Sequence, residues 1–389
     1  MRNIVGQPVS GQDYFSREAI TRLIYRRLDN DSNLFMAAPR RVGKTSIMYH
    51  MRDAPKDGYA FIYVPTESVD SIELYFKRLF DALLNSEAIS QKIKVSEKSK
   101  GIFELITDKV KKVGAFGVEL ELQNKEEEKY SDIFFELMKK LDNDNIRIVI
   151  MVDEFPSTVE NITQKSGIPE AVQFLKLNRT MRQESAGGIQ FIYTGSIGLP
   201  AIVNRLNAPE SINDLNQVDV PPMSFEDGKL FTQQLFETAK VPFQAEAVDY
   251  LLGKINWLMP FFIQLSVQEL IDLFDQNQSN ITNEIVDEAF NRICNRRNNI
   301  HFDSYYNRLK DTFSKDDYEL AIEILNLIAE KNNVAKDDLV EQFKTNPEKR
   351  DLVSIIESLE YDGYINLRNN TYTFNSPILQ LWWNKYIRN

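Results

Sequence analysis

Five short apolar runs recur along the first half of the chain. They cover residues 34–37, 59–64, 146–152, 189–194 and 217–220. Between them lie segments with an apolar residue every three to four positions, the period of an amphipathic helix. Strands that are apolar on both faces and alternate with helices are typical of a parallel sheet covered by helices on both sides. The first half is therefore predicted to be an α/β domain.

A long insertion, over about residues 86–130, separates the second and third apolar runs. It is predicted to contain a helix over 101–113, followed by an exposed strand or hairpin in the alternating pattern of 114–123. The acidic run at 126–128 is expected to be the solvated start of a helix.

The second half of the chain changes to a mainly helical pattern. Ser224 is expected to cap the first of several amphipathic helices that continue to about residue 299. Three further helices are then predicted, over 316–331, 336–344 and 347–362, and two strands flank residues 368–370. This arrangement is typical of a winged helix. The predicted domains are an α/β core over 1–222, a helical lid over 223–305 and a winged helix over 306–389.

A phosphate-binding loop follows the first apolar run. Residues 38–46 have the sequence Ala-Pro-Arg-Arg-Val-Gly-Lys-Thr-Ser, which matches G-x-x-x-x-G-K-[ST] except that Ala38 replaces the first glycine. In such a loop backbone N–H groups face the phosphates, Lys44 reaches the β and γ oxygens, and Thr45 offers its hydroxyl to Mg²⁺. A Cβ at Ala38 is comfortable only with a negative φ. The loop predicts binding of a nucleoside triphosphate with magnesium.

Two carboxylates end the third apolar run. Asp153 is expected at the carboxyl edge of the sheet, where an acid can hold the water shell of Mg²⁺. Glu154 follows it, where a carboxylate can orient or deprotonate an attacking water. A plain strand terminus is the alternative, but the position of the pair after a phosphate loop favours the catalytic interpretation.

The fourth run ends in small polar residues that have two interpretations. Thr194 or Ser196 could place a hydroxyl between the γ-phosphate and the attacking water. Alternatively, these hydroxyls cap the helix that begins near Gly198. The two interpretations are about equally supported.

Composition narrows the class of function. The net charge is −11 and the pI is about 5.0, which argues against a protein that coats nucleic acid. Residues 311–389 contain 9 Lys and Arg against 14 Asp and Glu, so DNA binding by the winged helix is disfavoured. Trp382 and Trp383 are interpreted as core residues, with an exposed docking patch as the alternative.

The small number of cysteines and histidines argues against disulfides, histidine zinc sites and acyl-transfer triads. Cys294, the single cysteine, permits no internal disulfide and is expected to be a packed hydrophobe. Two histidines make a histidine zinc site or an acyl-transfer triad unexpected. Because neither a signal peptide nor a run of eighteen apolar residues is found, a cytoplasmic protein with no membrane contact is predicted.

The chain resembles the archaeal-type ATPases of the STAND branch of AAA+ P-loop ATPases. The resemblance is carried by residues 38–46, Val152-Asp-Glu-Phe155, Thr194-Gly-Ser196 and Phe15-Ser-Arg-Glu18, and it covers nearly the whole chain. It implies ATP and Mg²⁺ as cofactors, bound by a P-loop NTPase core with a helical lid and a winged helix behind it. A lid Gly-x-Pro that touches the base in related signalling ATPases corresponds here to Leu258-Met-Pro260, which lacks the glycine.

The resemblance assigns a role to each matching residue. The nucleotide-binding residues it implies are Arg17, Pro39, Arg40, Arg41, Val42, Gly43, Lys44, Thr45, Ser46 and Pro260. Thr45 and Asp153 are implied for the metal. Glu154 is implied as the catalytic base, Ser196 as the sensor of the γ-phosphate and Lys44 as the contact to the phosphates.

An arginine from a neighbouring subunit often neutralises transition-state charge in such ATPases. Arg205 is the chosen candidate, with Arg179 and Arg182 as others, and each is also interpretable as a surface arginine. Arg40 and Arg41 either grip phosphate or pair with acids of another domain, and the sequence does not decide between these.

Three functions are compatible with these predictions. The preferred one is a slowly hydrolysing ATPase that acts as a nucleotide-dependent switch on a protein partner or on itself by self-association. The others are a DNA-associated ATPase that uses its winged helix, and an ATP-binding assembly scaffold with negligible turnover.

Overall fold

The computed structural model describes residues 1–87, 110–113, 119–122, 129–141, 146–185, 188–195, 198–343 and 352–388. The chain forms two compact units. Arg17–Ala37 and Ile47–Asp219 make up the sheet unit, whereas Met1–Ser16, Ala38–Ser46 and Val220–Asn389 make up the helical unit. The phosphate loop thus belongs to the helical unit, although it follows a strand of the sheet unit in the chain.

The first half of the chain alternates helices and strands as predicted. In chain order the elements are α1 (Glu18–Leu28), β1 (Asn33–Ala37), α2 (Lys44–Asp53), β2 (Tyr59–Pro65), α3 (Ile72–Leu84), β3 (Val110–Val113), β4 (Glu119–Leu122), α4 (Tyr130–Leu141), β5 (Arg147–Asp153), α5 (Phe155–Ser166), α6 (Ile168–Glu184), β6 (Ile189–Gly195), α7 (Leu199–Arg205) and β7 (Leu215–Asp219). All five predicted apolar runs are strands.

Five of these strands form one parallel sheet in the order β2-β5-β6-β1-β7. The central strands β5 and β6 are buried along almost their whole length, as expected of a sheet covered on both faces. The predicted α/β class is confirmed. Because all five strands run in the same direction, their carboxyl ends meet at one edge of the sheet.

The insertion differs from its prediction where the structure describes it. β3 and β4 pair in antiparallel fashion, so the helix predicted over 101–113 is wrong for Val110–Val113. Valines are β-branched and favour a strand once a partner supplies the ladder of hydrogen bonds. The strand predicted over 114–123 is confirmed at β4, and residues 101–109 and the acidic run 126–128 lie outside the described residues.

The second half is helical, with a small sheet near its end. Its elements are α8 (Phe225–Ala239), α9 (Ala245–Ile255), α10 (Pro260–Asn277), α11 (Asn283–Ile293), α12 (Asn299–Thr312), α13 (Lys315–Lys331), β8 (Val334–Ala335), α14 (Lys336–Phe343), α15 (Leu352–Tyr361), β9 (Ile365–Arg368), β10 (Thr371–Phe374) and α16 (Pro377–Tyr386). The predicted cap is present, since the Ser224 hydroxyl accepts a hydrogen bond from the Asp227 N–H.

Helices α13, α14 and α15 accompany a three-stranded antiparallel sheet of order β8-β10-β9. Trp382 and Trp383 are buried, and each indole N–H donates to an asparagine side chain, Asn299 and Asn326 respectively. The interpretation of these tryptophans as core residues is confirmed. Cys294 is also buried, and none of the described helices has the length and apolar character needed to cross a membrane.

Candidate nucleotide site

The phosphate loop makes its tight turn at two residues after Ala38. Arg41 has φ 65° and Gly43 has φ 97°, and these are the positive φ values within the loop. Ala38 therefore keeps the negative φ that its Cβ requires. A Cβ added at Gly43 would meet open space, so the backbone there is accessible while its conformation still favours glycine.

Lys44 folds back over this loop. Its ammonium group donates to the carbonyl oxygens of Ala38 at 2.7 Å and Pro39 at 3.0 Å, and the residue is buried. The lysine thus lies against the main chain that would receive phosphates. At the other end of the loop, the Ser46 hydroxyl accepts from the Val9 N–H at 3.1 Å, which ties the loop to the N-terminal segment.

Arg41 is directed away from the loop towards helices α10 and α12. Its guanidinium donates to the His301 carbonyl at 2.7 Å and to the Ser304 hydroxyl at 3.1 Å. It also lies 3.9 Å from the centre of the Phe261 ring, a cation–π distance. Burial lowers the pKa of Arg41. The side chain therefore anchors the loop to α10 and α12, and these partners are a carbonyl, a hydroxyl and a ring rather than the acids foreseen as one alternative.

The turn after α15 touches the phosphate loop. Gly363 has φ 81°, and a Cβ there would come within 2.9 Å of the Pro39 Cβ and 2.7 Å of Trp257. Only glycine fits both the backbone conformation and this close approach. The predicted winged helix is therefore in direct contact with the loop.

A buried ion pair holds this turn. Arg308 on α12 donates to both carboxylate oxygens of Asp362, at 3.0 and 2.8 Å. Burial raises the pKa of Asp362, and the charges of Arg308, Arg40 and Lys44 oppose that shift. The Asp362 carboxylate, next to Gly363, is thus close enough to Arg40 and Lys44 of the loop for their charges to affect its pKa.

A second cluster lies at the carboxyl edge of the sheet, around Asp153. Thr194 on β6 donates its hydroxyl to Asp153 Oδ1, and the Glu154 N–H donates to the same oxygen at 3.1 Å. Tyr63 on β2 donates its phenol to Oδ2 at 2.8 Å. Burial, followed by the charge of Asp153, raises the pKa of Tyr63, so the phenol keeps its proton. Both oxygens of the carboxylate are held.

The strand register explains why these side chains lie next to Asp153. Pro65 is the neighbour of Asp153 across β2 and β5, and Tyr63 lies two residues earlier on the same face. On the other side, Val152 pairs with Tyr193, which puts Thr194 beside Asp153. Thr194 therefore supports the carboxylate, and the residue at the N-cap of α7 is Gly198.

Glu154 has a strained backbone immediately before α5. Its φ of 58° and ψ of 37° lie in the left-handed region, which costs a residue with a Cβ about 1–2 kcal/mol. Ser157 donates its hydroxyl to Glu154 Oε2 at 3.4 Å. The strain persists because the chain turns sharply from β5 into α5, and strain of this kind clusters at functional sites.

The neighbouring strand end leaves no room for a side chain. A Cβ at Gly195 would lie 2.3 Å from the Pro156 ring, two residues after Glu154. This glycine lets β6 approach the start of α5 closely. The predicted sensor Ser196, next in the chain, lies outside the described residues.

The predicted arginines have different surroundings. Arg205 is half exposed and forms an ion pair with Glu160. Arg182 is buried and donates to the Asp214 carboxylate and the Ser211 carbonyl, so it is not the surface arginine expected and is not available to a second subunit. Arg17 is buried at the start of α1, and Pro260 is the first residue of α10.

The oxygen donors fit magnesium. In the loop Thr45 supplies a hydroxyl, and at the sheet edge Asp153 supplies a carboxylate. Each is a hard ligand of the kind that Mg²⁺ prefers. Gly43 leaves its backbone accessible to a phosphate, and the start of α2 at Lys44 adds the positive end of a helix dipole. The loop therefore suits the phosphates of a nucleotide, and the loop and the sheet edge each carry an oxygen donor that suits magnesium.

Known structures share this architecture. A Walker-type ATPase of Pyrococcus abyssi superposes with a TM-score of 0.67 at 15% identity, over 99% of this chain and 100% of the other. The ORC2 protein of Aeropyrum pernix, solved in ADPNP and ADP complexes, gives a TM-score of 0.52 at 12% identity over 96% of each chain. The fold is that of a P-loop NTPase. No protein-family model and no curated protein sequence matches the chain.

Three residues of these clusters were not predicted from the sequence, namely Tyr63, Asp362 and Gly363. Tyr63 belongs to an ordinary apolar strand, and its position beside Asp153 follows from the strand order. Asp362 and Gly363 occur in a helix-ending Asp-Gly of a common kind. Nothing in their local sequence distinguishes them from other strand and turn residues of this fold.

Proposed function

We propose that this protein binds ATP with Mg²⁺ through residues 38–46 and slowly hydrolyses it to ADP and phosphate. The observation that carries the proposal is the loop itself, in which Lys44 lies over a backbone turned by Arg41 and Gly43. The adenine base is proposed because the similar ORC2 protein was solved with ADPNP and ADP.

The proposed roles follow from the chemistry of each side chain. Lys44 neutralises phosphate charge, and Thr45 and Asp153 hold the metal and its water shell. Glu154 orients the attacking water and accepts its proton. Magnesium, when bound, supplies charge neutralisation at the phosphate oxygens. Ser196 is the proposed γ-phosphate sensor, Arg17 and Pro260 are proposed near the base, and Arg205 is the proposed arginine for a second subunit.

We further propose that nucleotide state controls the winged helix. The contact between Pro39 and Gly363 makes the winged helix sensitive to any change in the loop. ATP and ADP would bias two arrangements to different extents, which is what a switch requires. In this proposal residues 223–305 act as the lid and 306–389 as the part that reports the nucleotide state.

Two variants separate binding from hydrolysis. Lys44→Ala is expected to weaken ATP binding by at least tenfold in calorimetry, because it removes the cation at the β and γ oxygens. Lys165→Ala, which removes a lysine of an exposed ion pair, is the control and should bind normally. Unchanged ATP affinity in Lys44→Ala would show that this is not the phosphate site.

Glu154→Gln is expected to keep ATP binding and lose hydrolysis by at least a hundredfold, because the amide cannot accept the proton. Phosphate release measured at saturating ATP reports this. A wild-type protein that binds ATP without turnover would favour the scaffold function instead.

The switch has its own test. Hydrogen exchange should differ between the ATP and ADP states at the backbone amides of Gly363 and Tyr364, which donate to Glu360 and Leu359. The Glu154→Gln protein keeps ATP intact during the measurement. Identical exchange in both states would refute the switch and leave the ATPase proposal standing.

The partner is proposed to be a protein. Val353 on α15 is 63% exposed and Leu367 on the wing is 36% exposed, in a region with 9 basic against 14 acidic residues. This surface offers apolar contacts and little positive charge for phosphates of DNA. A salt-sensitive shift of duplex DNA at physiological ionic strength would instead support the DNA-associated function.

A further inference from the structure

The Asp153 carboxylate has a polar support that the proposed nucleotide chemistry does not itself explain. Thr194 and the Glu154 N–H hold Oδ1, and Tyr63 holds Oδ2 at 2.8 Å. Donors on both oxygens prevent the carboxylate from rotating about its last torsion angle. Tyr63 is the only one of these donors on β2, the strand on the other side of Asp153 from Thr194.

Tyr63 is itself held in place. Its ring packs edge-on against Tyr49, with ring centres 4.9 Å apart, and the Arg52 guanidinium lies 4.6 Å from the Tyr49 ring centre. Tyr49 is on α2, one helical turn after Thr45. The phenol therefore connects the Asp153 carboxylate to the helix that carries the other residue proposed for the metal.

We propose that Tyr63 is a positioning residue for magnesium, which holds Asp153 in the orientation that receives the metal's water shell. The inference rests on the proposed function, because it assumes that Asp153 serves a magnesium nucleotide. Partners that orient a metal-binding side chain typically change metal affinity by 10–100-fold when they are removed.

Tyr63→Phe tests this, since it removes one oxygen and keeps the ring packed on Tyr49. ATP affinity is measured by calorimetry with Mg²⁺ and with EDTA. The factor by which Mg²⁺ raises ATP affinity should be at least ten times smaller in the variant than in the wild type. The ATP affinity of the variant in EDTA should stay at the wild-type value. A merely structural role would instead lower both affinities together.

The chain offers a matched control on the same strand. Tyr59 donates its phenol to Asp29 at 2.7 Å, so Tyr59→Phe also removes a phenol–carboxylate hydrogen bond from β2. This control should leave the Mg²⁺ dependence unchanged. In an Asp153→Ala background, Tyr63→Phe should have no further effect, because the phenol acts through that carboxylate.

Two outcomes would overturn the inference, and they are distinguishable. If Mg²⁺ raises the ATP affinity of Tyr63→Phe and of the wild type equally, Tyr63 does not position the metal, and the ATPase proposal is unaffected. If the wild-type protein binds no ATP with or without Mg²⁺, the proposed function and this inference fail together.

Discussion

Removal of Arg308 is expected to destabilise the helical unit strongly. Arg308 and Asp362 have side chains that are 5% and 4% exposed, and they share two hydrogen bonds of 3.0 and 2.8 Å. In Arg308→Met the Asp362 carboxylate loses its main counter-charge without gaining water. Breaking one partner of a buried pair typically costs about 3–5 kcal/mol, so we expect a loss of that size.

The assay can be confined to the helical unit. All three tryptophans of the chain, Trp257, Trp382 and Trp383, belong to this unit. Urea unfolding followed by tryptophan fluorescence therefore reports its free energy of unfolding. Arg388→Met is the matched control, because Arg388 pairs with Glu330 at the surface and such pairs contribute about 0–1 kcal/mol.

A double variant distinguishes the missing charge from lost packing. Arg308→Met with Asp362→Leu replaces both ions by apolar side chains, and such replacements are often neutral or stabilising. We expect the double variant to recover most of the loss. The reasoning is refuted if Arg308→Met loses no more than Arg388→Met, or if the double variant is as unstable as the single one.

Three further predictions concern other parts of the molecule. Glu154→Gly should be about 1 kcal/mol more stable than Glu154→Ala in thermal unfolding, because only glycine relieves the left-handed backbone; equal stabilities would contradict the strain. Gly195→Ala should lower the free energy of unfolding by about 1–3 kcal/mol, since its Cβ overlaps the Pro156 ring. The rate of phosphate release should fall more than the ATP affinity, and a normal rate of phosphate release would argue against this packing. Burial raises the pKa of Cys294 to about 11, so its thiol should resist a disulfide reagent at pH 8 while urea-unfolded protein reacts. The raised pKa stabilises the folded protein below the pKa of the unfolded thiol, and this contribution should disappear as the pH rises towards 11; rapid labelling of folded protein would refute the assignment.

Much of the fold was predictable because its determinants are local. The five apolar runs became the five strands of the parallel sheet, and Ser224 caps its helix as its spacing indicated. The hairpin shows the limit of such reasoning. Val110–Val113 has a helix-compatible spacing of apolar residues, yet its pairing with Glu119–Leu122 makes it a strand.

The candidate site was predictable only where a motif carried it. Lys44, Asp153 and Glu154 stand out because a loop or a strand end places them, whatever the rest of the chain does. The environment of Arg41 was not predictable, since its partners His301 and Ser304 are about 260 residues away in the chain.

The sequence by itself determined the strand-loop-helix at residues 33–53, the acidic strand end at Asp153 and Glu154, and the alternation that builds a parallel sheet. These depend on dihedral preferences and on residues a few positions apart. The tertiary structure alone decided that Tyr63 supports Asp153, 90 residues away, and that Gly363 lies against Pro39. Strand order and side-chain packing make those contacts, and both are set by burying the whole core at once rather than by any local pattern.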